Sequence, residues 1–63
     1  MKTVHIIERF NTAQGLVIMV VNDKVYKVGD RVKTDMGETY IVTGIQFNTK
    51  PTNSNIVSLL VHA

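Results

Sequence analysis

The chain reads as all-β: a small five- or six-stranded antiparallel β-barrel in a single domain, residues 1–63. Three observations lead there. Short segments rich in Val, Ile, Thr, Tyr and Phe are separated by turn-type residues at strand-length intervals, and branched and aromatic side chains pack well on a pleated surface. No segment of helical length carries helical periodicity. The run Val25-Tyr26-Lys27-Val28-Gly29-Asp30-Arg31-Val32 sets a Gly-Asp turn between apolar residues, the pattern of a tight turn feeding a barrel strand.

The first strand is expected over Lys2 to Phe10, with Val4, Ile6 and Phe10 on one face and Thr3, His5 and Arg9 on the other. The second runs from Gly15 to Asn22 and is apolar on both faces, as expected of a central strand or one covered by a partner. Asn22-Asp23 makes a turn, and Gly29-Asp30 opens a short strand, Arg31 to Thr34. Asp35-Met36-Gly37 is a hairpin turn with Gly37 at positive φ. The next strand, Glu38 to Phe47, contains Gly44, and a glycine inside a strand marks a bulge or corner. A polar loop follows from Asn48 to Asn55. The last strand, Ile56 to His62, is expected to close the sheet by pairing with the first, since closure protects the edges.

Composition excludes several classes. Apolar residues make up 44% and charged residues 19% of the chain, which is globular rather than disordered. There is no cysteine, so neither disulfides nor thiolate metal sites arise. A domain this short is marginally stable alone, which favours self-association. The net charge of +2 rests on seven cations against five anions, a mild lean toward anionic partners. The longest apolar run, Leu16 to Val21, has six residues, against the ~20 of a membrane span. The first residues do not read as a signal peptide. The expectation is a cytoplasmic chain with no membrane partner.

The order of features resembles a known family. Phe10 precedes a polar turn ending in Gly15, then come Leu16-Val17-Ile18-Met19-Val20-Val21, Tyr26-Lys27-Val28-Gly29-Asp30-Arg31-Val32 and Tyr40-Ile41-Val42-Thr43-Gly44-Ile45. This resembles domain II of the translational GTPases, the elongation factor Tu type, from Ile6 to about Gln46. The resemblance implies a barrel topology and a scaffold that docks on RNA or protein. It implies no catalysis, and GTP binding does not carry over, because the chain has no G-x-x-x-x-G-K-[ST] phosphate loop. The family's arginine-glycine-threonine turn stands here as Ala13-Gln14-Gly15.

Four groups of residues could carry chemistry. His5 and His62, if the end strands pair, approach each other near Glu8 and make a weak divalent-metal set; exposed edge histidines are the plainer reading. Asp30, Asp35 and Glu38 lie close in sequence but are interleaved with cations, and no nucleophile with a matching base accompanies them. They read as a solvated face, with Asp30 accepting backbone hydrogen bonds in its turn. No catalytic residue, metal or cofactor is therefore expected.

Lys24, Lys27, Arg31 and Lys33, with Tyr26, form a candidate basic surface for RNA or DNA, binding through phosphate contacts and base stacking. The apolar strand surface around Ile18, Val20 and Leu60 is the candidate protein-interaction or self-association site. A non-enzymatic binding module for a protein partner or a second copy is the leading expectation, with nucleic-acid binding as the alternative.

Overall fold

The computed structural model describes residues 2–47 and 55–63. Among the described residues there are six strands and no helix: β1 (Lys2–Val4), β2 (Ile6–Thr12), β3 (Gly15–Val21), β4 (Arg31–Thr34), β5 (Thr39–Phe47) and β6 (Ile56–His62). They form one mixed sheet in the order β1-β4-β5-β6-β3-β2. The expected polar loop lies outside the described residues except for Asn55.

The strands come close to where the sequence puts them, but their pairing differs. The first expected strand is two, broken at His5. β1 pairs parallel with β4, whereas β2 pairs antiparallel with β3. The sheet is therefore not purely antiparallel, and no ladder among the described residues closes it. Its two outermost strands are nevertheless consecutive in the chain and separated by one residue. The chain thus passes from one edge strand to the other through His5 alone, which brings the two edges near each other there.

β6 does not pair with the first strand, contrary to the expectation from the sequence. It lies in the middle of the sheet, between β5 and β3. Both neighbours complement it. Leu59, fully buried, stands opposite Ile18 on β3 and Ile45 on β5. The expected meeting of His5 with His62 fails for the same reason, because His62 stands opposite Ile41.

The core is the inner face of this curled sheet. Ile18, Val20, Val32, Val42, Val57 and Leu59 are at most 1% exposed. Val4, Val61 and Tyr26 complete the buried cluster, with Ile6, Leu16, Tyr40 and Ile45 packed against it. Alternation along β6 is strict: Val57, Leu59 and Val61 are buried, because successive side chains of a strand point to opposite faces. Thr34 is the buried polar residue among those described. Its hydroxyl accepts the backbone N–H groups of Met36 and Glu38 at 3.2 and 3.1 Å and so organises the hairpin turn. Gly37 in that turn has φ +85°, a conformation costly to a residue with a Cβ.

Two bulges set which side chains face outward. One lies between Val42 and Gly44, where the sequence marks it. The other lies between Ile6 and Glu8 and has no glycine or proline to announce it. A single extra residue reverses the side of everything beyond it. Ile6 accordingly packs inward while Phe10, expected on the same face, turns outward and is 43% exposed.

Candidate functional site

The outer face of β2, β3, β6 and β5 has a distinct composition. The registers place Phe10 opposite Val17, Val17 opposite Leu60, and Leu60 opposite Gly44. These four form one row across the sheet. The adjacent row is Glu8, Met19, Ser58 and Gln46. Beyond it, Val21 stands opposite Ile56. None of these residues is Lys or Arg, and Glu8 is the single charge among them. A groove of about 440 Å³ runs over the first row, with Phe10, Thr12 and Gln14 at one side and Gln46 and Ser58 at the other.

Gly44 lines that groove without a side chain. A Cβ built there would lie 3.4 Å from Leu60 Cβ and 3.5 Å from Leu60 Cδ2. A Cβ there would be in van der Waals contact with Leu60, and the glycine leaves that side of Leu60 uncovered. At the other end of the row Phe10 presents its ring to solvent.

Charged residues occupy the other side of the molecule, and most carboxylates there are engaged. Lys2 Nζ donates to Asp30 Oδ2 at 2.8 Å. His5 Nδ1 lies 2.5 Å from Asp35 Oδ2. Arg9 Nη1 donates to Glu38 Oε1 at 2.8 Å and to the Tyr40 hydroxyl at 3.3 Å. These three pairs join the N-terminal segment to the stretch 30–38, and Arg9–Glu38 reaches that stretch from the edge strand β2. Asp30 Oδ2 also accepts the Lys27 backbone N–H at 2.8 Å, the turn role expected of it. The Lys2 ammonium, then the Lys27 amide, hold its carboxyl below the usual range. Glu38 keeps the Arg9 guanidinium charged to higher pH than usual, first by hydrogen bond and then by charge. The Tyr40 phenol is raised by desolvation and then by its bond to Glu38.

The residues expected on the basic surface divide. Lys24, Lys27, Arg31 and Lys33 are all exposed. Lys24 is paired with Asp23 at 3.2 Å, whereas Lys27, Arg31 and Lys33 make no ion pair among the described residues. Tyr26 is not a stacking platform: it is 9% exposed and part of the core. Desolvation, and then Asp23, raise its phenol.

The residues expected on the apolar surface divide too. Ile18 and Val20 are fully inside, opposite Leu59 and Val57, and cannot meet a partner. Leu60 is half-buried on the outer face. The residues that join it there, Phe10, Val17 and Gly44, are not singled out by the sequence. The both-sided apolar character of β3 points to them, but the parity of Phe10 depends on the unannounced bulge at Ile7. Among the described residues no group of three or more His, Cys, Asp and Glu side chains is placed to hold a metal ion. No helix among the described residues is long and apolar enough to cross a membrane. No family model, no curated protein and no solved structure matches the chain.

Proposed function

We propose that the protein is a cytoplasmic, non-enzymatic binding module that engages a protein partner or itself through the outer face of β2, β3, β6 and β5. One observation carries this reading. A four-stranded face bears Met19, Val21 and Ile56 beside a groove lined by Phe10, Val17 and Leu60, with no Lys or Arg among the residues its registers place there. Protein interfaces are distinguished by this depletion of charge at their centre, with aromatic and Met residues enriched. A solvated sheet face instead carries polar outward positions, as β4 does with Arg31 and Lys33. Kinship with the barrel of domain II of the translational GTPases belongs to the same proposal: the Val28-Gly29-Asp30-Arg31-Val32 phrase and the bulge at Gly44 support it. A scaffold of that kind presents surfaces and does no chemistry.

The second reading, RNA or DNA binding, rests on Lys27, Arg31 and Lys33. The acids interleaved with them in sequence are turned to Lys2, His5 and Arg9, which leaves three cations less neutralised than the sequence suggests. Burial of Tyr26 removes the aromatic partner of that surface, so phosphate contact alone would hold a strand.

Sedimentation of the chain with and without a short mixed-sequence RNA tests the choice. The expected result is no co-sedimentation with RNA at about 0.1 M salt. An RNA complex that weakens steeply with salt and is abolished by Lys27→Glu with Arg31→Glu would move the function to the basic surface.

A further inference from the structure

We infer that the occupant of the apolar outer face is a second copy of this chain, packed face to face about a two-fold axis that runs along the strands between β3 and β6. This rests on the binding-module reading and gives it a partner. The argument is self-complementarity. In a two-fold interface residue i meets j of the partner and j meets i, so a patch can bind itself only if its halves match.

The halves match row by row. An axis between β3 and β6 brings each position on β2 over one on β5, and each on β3 over one on β6. In the first row, the outward Phe10 comes over the partner's Gly44, and Val17 over the partner's Leu60. The ring enters the notch that Gly44 leaves empty, twice per dimer. In the second row, Glu8 comes over the partner's Gln46, so the one carboxylate of the face meets an amide donor and not its own charge. Val21 comes over the partner's Ile56, apolar on apolar. No position brings like charges together.

Size sets the strength of the association. At ~4.8 Å between strands and ~6.7 Å between outward rows, four strands by about two and a half rows give a footprint of roughly 19 × 17 Å. That is at the small, transient end of interfaces, and burial there supplements the core of a 63-residue domain. The expected complex is a reversible dimer, not an obligate one.

The test is a pair of complementary variants of the full chain. Phe10→Ala removes the ring and Gly44→Leu fills the notch. Phe10 is already exposed, and a Cβ at Gly44 meets Leu60 at 3.4 Å, so circular dichroism checks that each chain keeps the fold, and Gly44→Ala takes the place of Gly44→Leu if the larger side chain does not. Sedimentation equilibrium from about 10 µM to 1 mM, the range of weak association, should give a dimer for the original chain. Association should weaken at least ~tenfold, or about 1.4 kcal/mol, in each variant alone. Mixing the two should restore it. The filled notch of the Gly44→Leu chain then faces the truncated side chain of the Phe10→Ala chain, while the intact Phe10 of the one finds the intact Gly44 of the other. Native mass spectrometry reads the heterodimer directly. A chain that stays monomeric throughout overturns the inference, as does a dimer indifferent to both variants. Fluorescence of an apolar naphthalene-sulfonate dye separates the two levels of failure. A monomer whose dye signal is lost in Gly44→Leu keeps an apolar binding face for a different partner, and a monomer that binds no dye loses the binding-module reading as well.

Discussion

Arg9 Nη1 donates to Glu38 Oε1 at 2.8 Å across 29 positions of sequence. The bond spans from β2, at one edge of the sheet, to the segment that opens β5. With Lys2–Asp30 and His5–Asp35 it forms a three-step lacing of similar sequence separation, 28, 30 and 29 residues. The N-terminal segment thus runs alongside the β4–β5 hairpin, held by backbone bonds at β1 and by side chains beyond it.

Arg9→Met keeps the apolar stem of the side chain and removes the bond. The pair is about half exposed on both sides, and exposed pairs contribute little to global stability. The expected outcome is local. Amide exchange in β2 should quicken while that of Val42 and Leu59 is unchanged. Equal acceleration throughout would mean that the lacing holds the whole fold and not its seam.

Acid should loosen the same seam. The Asp30 carboxyl is depressed by the Lys2 ammonium and then the Lys27 amide. A carboxylate whose folded value lies below its unfolded one stabilises the fold above the unfolded value, and that contribution is lost as pH falls through the folded value. Chemical denaturation across the acid range should therefore show stability falling once pH drops below about 4. Asp30→Asn should make this acid limb shallower, and Lys2→Met should do so in part. An acid limb identical in all three chains would remove Asp30 as its source.

Most strand positions were legible because β-propensity and turn chemistry act locally. Arg31-Val32-Lys33-Thr34 alternates, and Asp35-Met36-Gly37 follows with a glycine at the positive-φ position. Gly44 announced its bulge for the same local reason. Pairing was not legible, because partner choice depends on contacts distant in sequence. Nothing at His5 says that the chain leaves β4 there and joins β3. The bulge at Ile7 is equally silent, yet it exchanges Phe10 for Arg9 on the inner side and so creates both the outward ring and the bond to Glu38. The site was half read as a consequence. The apolar excess of β3 was visible, but both of its faces are apolar, so nothing in its own residues tells Val17 from Ile18 as the outward member.

The Thr34 hydroxyl offers a separate test of the hairpin. It belongs to a side chain 2% exposed and accepts two backbone N–H groups of the turn. Thr34→Val preserves shape and leaves those donors without the acceptor. The expected cost is about 1–3 kcal/mol in urea denaturation. Thr34→Ser, which keeps the oxygen, should cost less than Thr34→Val. The opposite order would show that the methyl group, and not the hydroxyl, matters at this position.

Val17 and Ile18 are neighbours on β3 with opposite assignments, and they separate stability from association. Ile18 is fully buried against Leu59, so Ile18→Ala creates a core cavity at a cost of about 2–5 kcal/mol. A domain of this length has only roughly 3–9 kcal/mol in total, so the variant should be largely unfolded at modest urea concentrations. Val17 is half-buried on the outer face, opposite Phe10 and Leu60. Val17→Ala should cost less than about 1.5 kcal/mol by the same transfer argument, while reducing self-association measured by sedimentation. The informative comparison is between the two readouts. Ile18→Ala should lose the urea midpoint and Val17→Ala the dimer mass. If the two variants lost stability equally, the inner and outer faces of β3 would be wrongly assigned, and with them the parity that places Phe10, Val17 and Leu60 in one outward row.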